Sequence, residues 1–194
     1  MSTVATRVPL AEAERKANAL MELLRPACIR IAIAGSIRRR KPDVGDIELL
    51  MVPKFEQYQT FDMFGELASA ETVNRLDHYC DVLHDQDILR ARLGKDGKAA
   101  WGSKYKRARF DGMAADLFSV LHPAQFGVLL AIRTGPATWS HRLVMRDYAG
   151  GMLPAGHVIR DGALWRGAEM LDTPDEETLF RQLGREYVPP EERV

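Results

Sequence analysis

The chain has 194 residues, 46% hydrophobic and 28% charged, and its 27 basic and 27 acidic side chains cancel. These values describe an ordinary globular chain of one domain, or one with a small appendage, and exclude a global charge that would steer it to nucleic acid or a membrane surface. No apolar run approaches the roughly eighteen residues a spanning helix needs, the amino terminus lacks the apolar core of a signal peptide, and Cys28 and Cys80 make no disulfide framework, so a cytoplasmic location is expected.

Leu10, Ala13, Ala17, Leu20 and Leu24 recur at helical spacing and predict a first helix that Pro26 ends. Residues 28–34 alternate Ile29, Ile31 and Ile33 with other residues, which predicts a strand broken by Gly35-Ser36. Residues 46–52 predict a second strand closed by Pro53, and residues 61–86 are expected to be largely helical. Gly94 and Gly97 mark loops. "KYKRARF" and "MAADLFSV" read as two strands joined by Asp111-Gly112, a dipeptide that favours a tight hairpin turn. A helix is expected over residues 125–132, a second over 137–150 ending at Gly150-Gly151, and another Asp-Gly hairpin within "HVIRDGALW". Thr173 is expected to cap a last helix, with Pro174 at its first position, Glu176 completing a capping box and Gly184 beyond its end, before an extended tail. The order predicts an α+β chain, with a sheet-bearing part over 1–121 and a smaller, mostly helical part with a hairpin over 122–194.

Side chains two apart on a strand share a face, so Asp46 and Glu48 project together. Two carboxylates so placed raise each other's proton affinity, and a divalent cation between them removes the conflict. Oxygen-only donors suit magnesium. Asp116 is the candidate third acid, because it interrupts an otherwise apolar strand where an unpaired carboxylate would be costly. Three carboxylates on adjacent strands can hold the two metals used for in-line phosphoryl transfer. The Gly35-Ser36 turn offers backbone amides and a hydroxyl to a phosphate, and Arg38, Arg39, Arg40 and Lys41 add charge for a triphosphate. Each feature alone also has a plain reading as a turn, a solvated cationic face or an edge-strand charge.

In that order, "GSIRRRKPDVGDIE" resembles the Gly-Ser turn, paired arginines and acidic pair of the nucleotidyltransferase superfamily, and within it the DNA polymerase beta group, family X. "ADLF" resembles the strand carrying that family's third metal-binding acid, "IRTGPATWSHRLVMRDYAGG" its thumb segment, and "LFRQLGREYVPPEER" its carboxy-terminal end. The resemblance runs from about residue 10 to the end. It implies a polymerase beta-like palm with a mixed sheet over 1–121 and a thumb over 122–194. The implied reaction is transfer of a nucleoside monophosphate from a nucleoside triphosphate to a 3′-hydroxyl of primed or gapped DNA. Asp46, Glu48 and Asp116 would hold two Mg2+ ions, with Mn2+ as a substitute, and would be the catalytic acids. Gly35, Ser36 and Arg39 would hold the β- and γ-phosphates, with Gly45 beside them. Arg133 would stand at the sugar with Thr134 and Gly135, and Trp139 and Ser140 near the base.

The chain departs from the family where Glu48 replaces aspartate, Ala114 a basic residue, Arg133 an aromatic one, Ala137 a group beside the base and Val144 a template-contacting arginine. The layout, palm and thumb without a lyase domain, is similar to the minimal viral family X polymerase; a phage or viral origin, which the residues do not show, would put the chain in the host cytoplasm, DNA repair is the expected setting, and nothing in the sequence demands more than a monomer. Lys104, Lys106 and Arg107, interleaved with an aromatic residue, suit a single strand or primer terminus and equally a solvated edge strand. His141 and Arg142 would meet nucleic acid or lie on a plain exposed helix face. The missing template-side groups leave a template-independent transferase as the rival reading, and a non-catalytic nucleic-acid-binding module as another.

Overall fold

The computed structural model describes residues 7–94 and 96–194. A short strand, β1 (Val8–Pro9), leads into helix α1 (Leu10–Leu24), which buries Ala13, Ala17, Leu20 and Leu24 along one stripe. Strand β2 (Cys28–Ile33) is followed by a single helical turn, α2 (Gly35–Arg38), then β3 (Asp43–Val44), which pairs with β1, and β4 (Asp46–Pro53). Strands β5 (Phe55–Phe61) and β6 (Leu67–Asn74) come next, then α3 (Arg75–Asp85), β7 (Arg90–Ala91), β8 (Tyr105–Phe110) and β9 (Met113–Ser119). The rest carries α4 (Phe126–Thr134), α5 (Ala137–Val144), β10 (His157–Arg160), β11 (Ala163–Arg166), β12 (Glu169–Leu171) and α6 (Glu176–Gln182).

The main sheet has the order β2-β4-β9-β8-β7 and is mixed: β4 and β9 run parallel and the other neighbours antiparallel. Alternation along each strand sorts its side chains onto two faces. One face carries Ile31, Ile33, Ile47, Leu49, Met51, Ala108, Ala115 and Leu117, packed against α1 and α3 in the largest core. The opposite face carries Leu50 and Phe118 at one end, where Phe126 and Leu130 of α4 cover them. Its other end bears Asp46, Glu48 and Asp116, all half-buried. A further core joins α4, α5, α6 and the β10-β11-β12 sheet through Val128, Trp139, Leu143, Leu164, Leu179 and Phe180.

Both Asp-Gly turns form as expected, with Asp111 and Gly112 at φ 46° and 76° and Asp161 and Gly162 at 53° and 75°, the left-handed pair a two-residue hairpin requires. The expectation of helix over 61–86 is corrected. Its first half is the β5–β6 ribbon, and only Arg75–Asp85 is helical. Asp62 turns the ribbon by accepting bonds from the amides of Phe64 and Glu66 at 2.8 and 2.9 Å, with Gly65 left-handed. Asn74 then caps α3 through the amides of Leu76 and Asp77.

Helix α5 ends at Val144, six residues before the expected stop at Gly150, because the chain doubles back. The amide of Met152 takes the carbonyl of Arg142, and that of Leu153 takes the carbonyl of Met145, both at 2.9 Å. The cap of α6 is Asp175, which accepts from Thr178 at 2.7 Å. Thr173 is instead wholly buried and gives its hydroxyl to Gln125, and Glu176 turns inward. The tail is extended except for one tight turn over Pro190–Glu192, and it returns Arg193 to the interior with no exposed surface.

Candidate active site

Register brings the acids together. β4 and β9 align Glu48 with Asp116 and Asp46 with Ala114, so the three carboxylates rise from neighbouring positions of one sheet face. Burial raises the pKa of Asp46, and the Asp116 charge adds to it against Arg92, Arg7 and Arg39. Glu48 is pushed up to about 7, first by burial and then by Asp46 and Asp116. Neither Asp46 nor Glu48 accepts a side-chain hydrogen bond among the described residues. Asp116 differs: Arg92 Nη2 donates to its Oδ1 at 2.9 Å, and Arg107 Nε stands 3.8 Å away. Among the described residues no three acidic, histidine or cysteine side chains enclose a metal position.

The Gly35 turn faces this cluster. Gly35 has φ 62°, and a Cβ there would overlap Glu48 Oε2. Only glycine combines that backbone with so close an approach. Among the described residues the Ser36 hydroxyl is buried without a partner, as is Arg39 Nε. Arg39 donates through Nη1 to the carbonyl of Thr134, and burial lowers its pKa although Glu48 and Asp46 favour its charge. A methyl at Gly45 would meet only Arg7 at 3.8 Å, so nothing there demands glycine.

Arg38 serves a different purpose from the triphosphate role expected of its run. It reaches across to Thr134 Oγ1 at 2.7 Å and forks onto Glu176 at 2.9 and 2.6 Å. Glu176, 2% exposed, also receives Arg193 at 2.7 Å. Burial alone would raise the pKa of Glu176, but the bonds from Arg38 and Arg193 outweigh it and lower the value. The Arg193 guanidinium lies over Trp139 at 4.7 Å and beside Phe180 and Tyr187. This hub ties the Gly35 turn to α4, α6 and the tail. Glu176 and Arg193 carry no signal in the sequence beyond an ordinary cap and a charged terminus.

The remaining expected residues divide. Arg133 lies on the acid-bearing side, its guanidinium 3.9 Å over Phe118, and it favours the charged form of Glu48. Thr134 is buried as an acceptor for both Arg38 and Arg39. A Cβ on Gly135 would overlap the Trp139 ring, so the glycine allows the tight α4–α5 joint. Trp139 is 3% exposed within the core, and Ser140 donates to the carbonyl of Ile132 at 2.6 Å. Neither is placed to meet a base, which corrects that expectation. Lys106 is corrected as well: it points to the α3 side, 5% exposed, bonded to Asp77 and the carbonyl of Gly102. Arg107, one residue on, takes the acid-bearing face and joins Asp116. Lys104 is exposed and lines a cavity of about 280 Å³ with Tyr105, Phe118, Ser119 and Arg133; the cavity does not reach the acids. His141 and Arg142 are exposed on α5. Arg92, the partner of Asp116, was not anticipated, and nothing in "DILRARLG" marks it.

The fold and its acid-bearing sheet face define an α+β protein similar to the polymerase beta fold. The solved structure that shows this is polymerase beta of Leishmania infantum as a ternary P/T complex, with a TM-score of 0.64 and 16% identity, matching 97% of this chain and 77% of that one. No protein-family model matches the chain. No curated protein matches it. No helix among the described residues is long and apolar enough to cross a membrane.

Proposed function

We propose that the chain is a nucleotidyltransferase of polymerase beta type that extends a DNA 3′-hydroxyl from a nucleoside triphosphate. The observation that carries the reading is the in-register meeting of Asp46, Glu48 and Asp116 on one half-buried sheet face, opposite the Gly35–Arg39 turn. The donor set suits magnesium: the ligands are oxygens only, and two of them have no side-chain partner among the described residues, so that a dication offsets the burial, and after it the neighbouring acid charge, that raises their pKa values. Asp46 and Glu48 would hold such ions, with Asp116 as the third ligand, and Mn2+ would substitute. When bound, the metal ions neutralise charge on the reacting phosphates and make the hydroxyl a better nucleophile.

The chain's own groups supply the rest. The Ser36 hydroxyl and Arg39 offer donors to the β- and γ-phosphates, and Arg39 keeps its place through Thr134. Arg133, stacked on Phe118, would supply the cation at the sugar. Asp116 accepts the proton of the attacking hydroxyl or orients it. The hydroxyl oxygen bonds to the α-phosphorus, the bond to the β-phosphate oxygen breaks, and pyrophosphate leaves. We assign residues 1–121 to a palm and 122–194 to a thumb, with Lys104, Arg107, His141 and Arg142 facing the nucleic acid.

A template-independent transferase is the second reading, favoured by α5, which carries Ala137 and Val144 at the two exposed positions where template-side groups are expected. Single labelled nucleotides, deoxy and ribo, offered with magnesium to primed and unprimed DNA separate the readings. Addition of the complementary deoxynucleotide alone supports a polymerase. Addition regardless of template supports the rival. No addition, or addition undiminished in D46N and D116N, removes the catalytic assignment and favours a non-catalytic binding module.

A further inference from the structure

Among the described residues, Asp116 is the one acid of the three with cationic partners. Arg92 follows β7 directly, and its amide donates to the carbonyl of Arg107 at 2.8 Å, so the two arginines stand together on the Asp116 side of β8. Their side chains are 26% and 38% exposed, against 14% for Asp116, so the carboxylate is more shielded than the guanidinium groups that flank it. Arg92 uses only Nη2 on Asp116, and its Nε is buried with no acceptor among the described residues. The edge formed by Nε and Nη2 is the one that takes two oxygens of a phosphate side by side. Arg92 therefore contacts the acid with half of a fork.

A dication at Asp46 and Glu48 needs Asp116, and a guanidinium on Asp116 repels it. A phosphodiester gives Arg92 two acceptors in place of one and releases the carboxylate. We propose that Arg92 holds the third acid closed to divalent metal until a phosphate of the acceptor strand draws it away, so that strand and metal bind with positive coupling. The inference rests on the reading of Asp46, Glu48 and Asp116 as metal ligands. Coupling of this kind is reciprocal: the strand tightens the metal by the factor by which the metal tightens the strand.

The test uses the full chain without nucleotide, so that nothing turns over. Mn2+ affinity is read by electron paramagnetic resonance and the affinity of a fluorescent primer-template by anisotropy, each alone and with the other present. In the wild type each ligand should tighten the other about tenfold. R92Q should bind Mn2+ about tenfold tighter than wild type with no DNA present, and the coupling should fall toward unity. R92K keeps the cation and should behave like wild type, which holds the test open if R92Q folds poorly. An R92Q protein whose Mn2+ affinity is unchanged or weaker overturns the proposal, as does R92K behaving like R92Q. D46N separates the two levels: if it binds Mn2+ as well as wild type, the metal reading fails and the latch with it. If D46N loses Mn2+ while R92Q gains nothing, the latch alone fails.

Discussion

Replacing Glu176 with alanine would leave two guanidinium groups facing each other, one of them, Arg193, with no exposed surface. Removing one partner of a buried ion pair costs about 3–5 kcal/mol, because the remaining charge stays desolvated and uncompensated. Three short bonds are lost here, two from Arg38 at 2.9 and 2.6 Å and one from Arg193 at 2.7 Å. Both arginines keep something. Arg193 retains the carbonyl of Val188 at 3.0 and 2.9 Å, and Arg38 retains Thr134 Oγ1 at 2.7 Å with its side chain 23% exposed. The expected loss therefore lies at the low end, about 3 kcal/mol. Urea unfolding at neutral pH measures it. The folded-state pKa of Glu176 is depressed, so its contribution is present above the unfolded value near 4.5 and disappears as pH falls through the folded one. The gap between wild type and E176Q should narrow on acidification in that window. Adding R193M to E176A should recover part of the loss, since a buried ion cluster can be replaced by apolar groups of similar volume. A cost under about 1 kcal/mol for E176A, or no recovery in the double variant, would refute the hub as the tie between the Gly35 turn and the tail.

Chelating divalent metal should expose the cost of burying the Glu48 charge beside Asp46 and Asp116. Glu48 is raised to about 7, so its contribution is full below the ordinary value of 4.5 and is lost as pH rises through 7. The metal-free wild type should lose stability across that range while E48Q does not, and parallel thermal profiles for the two would contradict this. G35A forces a Cβ into φ 62° against Glu48 Oε2 and should cost at least about 1–2 kcal/mol. Adding E48A should return part of that in thermal unfolding, and no recovery would mean the strain lies elsewhere. K106M breaks the buried bond to Asp77 and should lower stability without changing DNA affinity or its salt dependence, whereas K104A and R107A should weaken binding in anisotropy titrations. A K106M protein with weakened DNA binding and unchanged stability would reverse the assignment of the two strand faces.

Much of the fold was legible because its signals are local. Asp111-Gly112 and Asp161-Gly162 demand left-handed backbone and deliver hairpins. The stripe from Ala13 to Leu24 and the alternation in β4 each repeat with the period of the element they form. The β5–β6 ribbon escaped because its strands are exposed and mixed in character, so no apolar alternation marks them and the turn rests on the Asp62 side chain. The end of α5 escaped for another reason: a segment ten residues further on takes its carbonyls.

The candidate site divides along the same line. Asp46 and Glu48 share a face by the two-residue period of any strand, which residue order alone fixes, whereas the positive φ of Gly35 and its close approach to Glu48 belong to the fold. The sequence also identified Asp116 as an acid out of place in an apolar strand. Only the fold decided that β9 lies parallel beside β4, in the register that sets Asp116 next to Glu48. It alone decided that Arg92 holds Asp116, that Lys106 is buried while Arg107 is not, and that Glu176 gathers Arg38 and Arg193 from residues 138 and 17 positions away. A charged side chain announces its chemistry but not its partner. The partner is set by which distant strands and helices pack together, and burial then makes that choice costly to undo.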